Sequence, residues 1–325
     1  MTNPEVVPPP QPEDVFTPRA PVESLMFIGR RRDRLGERIV DGLNEVGAQL
    51  VLHGDTGAGK TSLVLHVGGS AVARVECHRS KTFQDLLRDA FGAMGSVQEL
   101  RVTQHDRTEV GASGGGELGL GFVAKFKGTV SASDSKETVR ELDIVEQPLI
   151  DALIATMQAA GKRILLLDNF DHVVDANVGH AVAELMVAMS DKARSSGNLK
   201  IVVAGIAESA GELLNLSEAA SRRTVSVGVS PMLDEEIREL VVRGMGLLQL
   251  VIGPTQVERI VSISSGYPYV AHLICLHAAR VANSIPRTVV DRDAVDRALS
   301  HALDDFQLDF DVRYQRAVES SGVSR

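Results

Sequence analysis

Eight consecutive residues, GDTGAGKT from Gly54 to Thr61, have the types and the spacing that bind a phosphate chain. Glycines let successive backbone N–H groups turn towards an anion, and a helix beginning just after them adds positive potential. In the pattern G-x-x-x-x-G-K-[ST], Lys60 reaches the β- and γ-phosphates and the Thr61 hydroxyl binds Mg²⁺. The stretch therefore predicts a P-loop for ATP or ADP. Its predicted nucleotide contacts are Gly54, Asp55, Thr56, Gly57, Ala58, Gly59, Lys60, Thr61 and Ser62.

A second stretch, RILLLDNFDHVV from Arg163 to Val174, predicts the metal side of the same site. Its apolar run is typical of a central parallel strand, and it ends on Asp168, which would hold Mg²⁺. Asn169 follows, and an amide can orient a water molecule but cannot accept its proton. Asp171, three residues after Asp168, could supply a carboxylate that accepts this proton. We therefore count Asp168, Asn169 and Asp171 as candidate catalytic residues.

The elements that position these residues alternate between strand and helix. Residues 23–230 predict an α/β domain with a parallel sheet covered by helices. Residues 231–325 show only helical patterns and predict an all-helical lid domain without strands. Residues 1–22 are rich in proline and predict a flexible tail, whose last part, FTPRAPV, lies along the body. Within residues 105–142, a glycine-rich segment predicts an inserted β-hairpin that carries Lys125 and Lys127.

The composition excludes several classes of protein. The chain has 325 residues, 44% of them hydrophobic, with only two cysteines, Cys77 and Cys275. It predicts no disulfide framework, no membrane span and no signal peptide, and so a soluble cytoplasmic protein. The net charge of −9 argues against a broad surface for polyanions such as DNA.

Six stretches in order resemble one family. They are FIGR (Phe27–Arg30), GDTGAGKT, LLLDNFD, IVVAGIAES, SRRTVSVGVSPM and SGYPYVAHLICLHAAR. Together they are similar to the AAA+/STAND-type P-loop ATPases, and most similar to the origin-recognition-like and archaeal group. The P-loop is the specific part of this resemblance, and the other stretches add to it through their order.

The resemblance implies an ATP site between the sheet domain and the lid, completed by a neighbouring subunit. Arg222 matches the arginine that reaches across to that neighbour, with Arg223 as the adjacent candidate. A solvated basic pair is the alternative interpretation of both. Pro268 and Tyr267 would pack near the adenine, and Arg30 would shape the mouth of the nucleotide site. The implied cofactors are ATP or ADP and Mg²⁺, and the implied partner is a second copy of the chain.

The chain departs from the family pattern in three places. Asn169 stands where most members have a catalytic glutamate. Glu208 or Ser209 stands where members have a polar sensor residue, and Tyr269 stands where many lids offer an arginine. These departures predict an ATPase with slow or partner-triggered hydrolysis.

The sequence leaves three functions open. The leading hypothesis is a regulatory or assembly ATPase that acts as a nucleotide-dependent oligomeric switch, with a protein partner. The second is a DNA-associated initiator or loader without its own winged helix, because the chain ends about where that domain would begin. The third is a scaffold that binds nucleotide without hydrolysing it.

Overall fold

The computed structural model describes residues 10–22, 24–31, 34–95, 149–214, 217–283 and 288–305. The hairpin predicted within residues 105–142 lies outside them. The chain forms two compact units. The helical unit comprises Met1–Gly36, Asp55–His66 and Val229–Arg325, and the sheet unit comprises Glu37–Gly54 and Val67–Gly228.

The sheet unit contains five parallel strands. They are β1 (Gln49–His53), β2 (Val72–Glu76), β3 (Ile164–Asp168), β4 (Lys200–Gly205) and β5 (Thr224–Gly228). Their order is β2-β3-β4-β1-β5, and every adjacent pair is parallel. All five strands therefore end at one edge of the sheet, where ligands of open α/β sheets bind. The predicted α/β class is confirmed.

Helices connect these strands and continue through the helical unit. In chain order they are α1 (Pro12–Val15), α2 (Leu35–Asn44), α3 (Lys60–Gly68), α4 (Phe83–Ala93), α5 (Leu149–Ala159), α6 (Ala176–Asp191), α7 (Ala193–Ser196), α8 (Ala210–Leu214), α9 (Glu218–Arg222), α10 (Asp234–Leu247), α11 (Pro254–Ser264) and α12 (Pro268–Asn283). A further helix runs from 292 to 305. Among the described residues, no helix combines the length and the apolar character that crossing a bilayer requires.

Strands β3 and β4 are buried along their whole length, which explains their near-continuous apolar sequences. Like Asp168 at the end of β3, Lys200 at the start of β4 is an exception in type, because it is charged and yet 1% exposed. Its ammonium donates hydrogen bonds to the carbonyls of Glu45 and Ala48, just beyond the end of α2. Burial lowers the pKa of Lys200 to about 8. The side chain thus supplies donors to carbonyls of the turn between α2 and β1.

The helical unit packs α10, α11 and α12 around one apolar core, and the predicted helical lid is confirmed. The prediction that it contains no strand is wrong. Val251–Ile252 and Val289–Val290 pair in parallel as β6 and β7. Two β-branched residues on each side suit an extended pair, and segments this short give no periodic signal in the sequence.

The segment around α1 belongs to this core. Phe16 is fully buried and meets His272 of α12 edge to face, with ring centroids 5.9 Å apart. Burial lowers the pKa of His272 to about 4, so the imidazole is neutral and its Nδ1 accepts a hydrogen bond from the Thr17 N–H. The prediction of a flexible tail is therefore wrong for α1, which precedes Phe16, whereas Phe16 begins the stretch FTPRAPV that the sequence places along the body.

The site of Phe16 depends on the absence of a side chain at Gly244. A Cβ added to Gly244 would lie 2.4 Å from two ring atoms of Phe16, whereas one added to Gly246 meets nothing within 4 Å. We expect Gly244→Ala to lower the free energy of unfolding by about 1–3 kcal/mol, the usual effect of overpacking. Gly246→Ala, in the same helix, should leave it unchanged or raise it by up to about 1 kcal/mol through helix propensity. Urea unfolding of both variants measures the difference, and equal stabilities would contradict the packing.

Candidate functional site

The backbone of the predicted P-loop has the conformation that phosphate binding needs. Gly54, Gly57 and Gly59 have φ values of 141°, 72° and 90°, which favour glycine. Helix α3 begins at Lys60, so its first N–H groups follow directly on the loop. The Lys60 ammonium donates to the carbonyl of Asp55 at 2.8 Å and is largely buried. The loop thus combines the N-terminus of a helix with a lysine whose ammonium contacts the backbone of the loop. Both features suit the phosphates of a nucleotide.

The first residues of α12 contact this loop within the helical unit. The Tyr267 hydroxyl donates to the Asp55 carboxylate at 2.7 Å, and this hydrogen bond raises the pKa of Tyr267. A Cβ added to Gly57 would lie 2.9 Å from Cβ of Tyr269, so only glycine allows this approach. Gly266 is constrained in the same way, since its φ is 80° and its added Cβ would lie 2.5 Å from the carbonyl oxygen of Met232. Gly266, the glycine of the Gly-x-Pro stretch, therefore allows the backbone there to pack closely against Met232.

A small cleft with a volume of about 50 Å³ lies beside the loop in the same unit. Phe27, Ile28, Leu63 and Pro268 contribute apolar walls, and Arg30 lies at its margin. The structure thus places Pro268 and Arg30 beside Gly59 of the P-loop, and their contacts with a nucleotide stay a prediction.

Arg30 connects three parts of the helical unit. Its Nη1 donates to the carbonyl of Ala58 in the P-loop at 2.8 Å, and its Nη2 donates to the carbonyl of Ser230. Its Nε lies 3.8 Å from the carboxylate of Glu236, which is fully buried and also accepts from the N–H of Leu233 at the start of α10. Arg30 is thus a buried side chain that stabilises the P-loop backbone through a hydrogen bond to Ala58.

Asp168 ends β3 in the sheet unit and is 1% exposed. Its Oδ2 accepts from Nε and Nη2 of Arg74 at 2.8 and 2.7 Å, and its Oδ1 accepts from the N–H of Asn169 at 3.1 Å. Asn169 itself has φ 55° and ψ 42°, a left-handed conformation that asparagine tolerates better than most residues. A carboxylate suits Mg²⁺, and in this structure its negative charge is balanced by an arginine.

The residues after Asp168 connect β3 to the segment after β4. Oδ1 of Asp171 accepts from the N–H of Ile206 at 2.8 Å. Three residues on, the Ser209 hydroxyl accepts from the N–H of Glu212 at the start of α8. Asp171 therefore holds the loop that follows β4, and Ser209 caps a helix.

The two candidate arginines at the end of α9 differ in their contacts. The Arg222 side chain is 76% exposed and pairs with Glu218, one turn earlier in the same helix. Arg223 donates to Asp191 at 2.8 Å and to the carbonyl of Ala219 at 3.3 Å. A surface pair such as Arg222–Glu218 costs little to break, so Arg222 is the one available to a neighbouring molecule.

Sequence reasoning missed Arg74 and Glu236. The signal for Arg74 is a charged residue at the middle of the short strand ARVEC, on the same face as the strand's Glu76. The signal for Glu236 is its place three residues after Leu233 at the beginning of an apolar helical pattern, where a glutamate can accept from the N–H of the residue that precedes the helix. Neither signal identifies the partner, because each partner is distant in sequence.

Arg30 and Arg31 are neighbours that should differ sharply in their effect on stability. Arg30→Leu leaves the buried Glu236 carboxylate without its cation, and we expect a loss of about 3 kcal/mol in the free energy of unfolding. Arg31 pairs at the surface with Glu239, and Arg31→Leu should cost less than about 1 kcal/mol. Urea unfolding without nucleotide measures both, and similar losses would contradict a supporting role for Arg30.

Comparisons with known proteins agree with this geometry. The model of a protein family described as "AAA domain" matches residues 46–214. The Walker-type ATPase paby2304 of Pyrococcus abyssi is similar in structure, with a TM-score of 0.57, 16% identity, and coverage of 91% of this chain and 80% of that chain. The ORC1 protein of Aeropyrum pernix, solved in complex with DNA, gives a TM-score of 0.53, 14% identity, and coverage of 90% and 69%. No curated protein matches by sequence.

The family match begins three residues before β1 and ends with α8, so it includes the P-loop, Asp168 and the strand β4. It covers more than half of the chain. A P-loop with left-handed glycines, a parallel sheet and a helical lid are the parts that such ATPases share, and the structural neighbours share the fold. This chain belongs to the AAA domain family and is a nucleotide-binding P-loop ATPase of the AAA+ type.

Proposed function

We propose that this protein binds ATP with Mg²⁺ and acts as a slowly hydrolysing, nucleotide-dependent oligomeric switch. The observation that carries the proposal is the P-loop itself, where left-handed glycines and the first turn of α3 surround the ammonium of Lys60. Lys60 would move from the carbonyl of Asp55 to the β- and γ-phosphates, and Thr61 and Asp168 would hold Mg²⁺. When bound, the metal offsets the charge that develops on the phosphates.

Two contacts support a switch rather than a simple binding site. Tyr267 at the start of α12 is hydrogen-bonded to Asp55, so a change in the P-loop reaches the lid helix through one contact. Arg222 is exposed and, among the described residues, pairs with Glu218 of its own helix, which suits an arginine that stabilises transition-state charge in a neighbouring copy. In this proposal, Arg222 acts only when copies associate.

Slow turnover follows from the groups after Asp168. Asn169 cannot accept a proton from the attacking water, and Asp171 already accepts a hydrogen bond from Ile206 through Oδ1. Hydrolysis then depends on how the attacking water is positioned against the phosphates and on the charge that Arg222 adds. A partner that reorients Asp171 would accelerate it.

The first experiment separates binding from hydrolysis. We expect ATP binding by isothermal titration calorimetry and a low steady-state turnover, both lost in Lys60→Ala because the phosphates lose their cation. Lys162→Ala removes a half-buried lysine that donates to the carbonyl of Ser70, outside the P-loop, and is the control that should change neither. Turnover that survives in Lys60→Ala would refute the assignment of the site. Binding without turnover in the wild type would instead favour the nucleotide-stabilised scaffold.

A second experiment tests the neighbouring copy. Turnover per molecule should rise with protein concentration, and Arg222→Ala should lower it at least about tenfold while leaving ATP affinity unchanged. Arg223→Ala is the matched control, because its guanidinium contacts Asp191 within the same chain. Equal effects of the two variants, or a rate independent of concentration, would rule out a role for Arg222 between copies.

DNA association is the second candidate function. The A. pernix ORC1 protein, which shares the fold, was solved in complex with DNA. The net charge of −9 weighs against autonomous binding by this chain. Retention on DNA that weakens as salt rises would favour this function.

A further inference from the structure

Arg74 lies where it can act on the metal-binding carboxylate. It is on β2, at the edge of the sheet, and its register partner on β3 is Leu166, two residues before Asp168. Because side chains two residues apart share a face, the guanidinium reaches forward along the sheet to Asp168. Both of its contacting nitrogens converge on Oδ2 of Asp168. The pair is therefore set by the strand register and by two hydrogen bonds.

The two partners differ in their access to water. The Asp168 side chain is 1% exposed and enclosed by the protein, whereas the Arg74 side chain is 34% exposed. The arginine can therefore move into solvent while the carboxylate stays. Glu76 is the register partner of Asp168 on β2, so removal of the guanidinium would leave two acidic residues side by side on one face. Such a pair attracts a divalent cation.

We propose that Arg74 is the resident counter-ion of Asp168 and competes with Mg²⁺ for its carboxylate, so that it sets the Mg²⁺ concentration at which metal–nucleotide binds. The nucleotide part of this inference rests on the proposed function. A guanidinium and a divalent cation repel each other, and the one carboxylate cannot be fully neutralised by both. Mg²⁺ therefore engages Asp168 as Arg74 withdraws towards solvent.

The first test uses Mg²⁺ alone, without nucleotide. The thermal unfolding midpoint is measured in EDTA and in millimolar Mg²⁺ at equal ionic strength. In the wild type we expect no change, because Arg74 already neutralises Asp168. Arg74→Met should unfold at a lower temperature in EDTA and recover on addition of Mg²⁺. Mg²⁺ shifts that are equal in both proteins, including no shift in either, would overturn the proposal.

The second test measures ATP affinity as free Mg²⁺ is varied. Arg74→Met should lower the half-saturating Mg²⁺ concentration about tenfold, the effect expected when one charge-assisted pair no longer opposes the metal. Arg74→Lys keeps a cation but not the two converging donors, and it should fall between the wild type and Arg74→Met. An unchanged Mg²⁺ dependence in Arg74→Met would overturn the proposal.

Controls separate this inference from the proposed function. Arg88→Met removes an arginine whose partner is Asp85 on the surface of α4, and it should behave as the wild type in both tests. If the wild type binds no ATP, the proposed function fails, and the unfolding experiment with Mg²⁺ alone still decides the role of Arg74.

Discussion

One nearly buried cation, Arg30, holds the helical unit to its phosphate-binding loop. It donates to the backbone of Ala58 in the loop and of Ser230 ahead of α10, and it lies beside the buried carboxylate of Glu236. A guanidinium suits this role because its planar array of donors can serve several acceptors at once. The P-loop, the FIGR segment and the lid helix α10 therefore depend on one charge that has little access to water.

The chemistry of the sheet unit is shaped by a second arginine. Asp168 is placed at the carboxyl edge by the parallel register, and there its charge is balanced by Arg74 from the neighbouring strand. Beyond it, Asn169 supplies no proton acceptor and Asp171 is engaged with Ile206. In the proposed function, the phosphate-binding parts are of the usual kind and these groups weaken the activation of the attacking water. Such a site suits an ATPase whose hydrolysis is regulated by metal, by a neighbouring copy or by a partner.

Several features could be predicted because their causes are local. The P-loop needs glycines and a lysine within eight residues, and the run ILLL needs a position buried between two layers of helices. The helical lid follows from period-3.6 patterns that extend over whole helices. Features with distant causes escaped prediction. Phe16 begins the stretch FTPRAPV, which the sequence predicts only to lie along the body. The space above Gly244 shows that Phe16 is a core residue. The two-residue strands β6 and β7 are too short to give a pattern.

The sequence by itself determined the fold class, the phosphate-binding motif and the absence of a glutamate after Asp168, because these depend on residue types and on spacing along the chain. Tertiary structure alone decided which charges meet. It paired Asp168 with Arg74 across 94 positions and Arg30 with Ser230 across 200. It also left Arg222 exposed while Arg223 is engaged with Asp191. A charged residue finds its partner through strand register and helix packing, and the sequence around the residue contains neither.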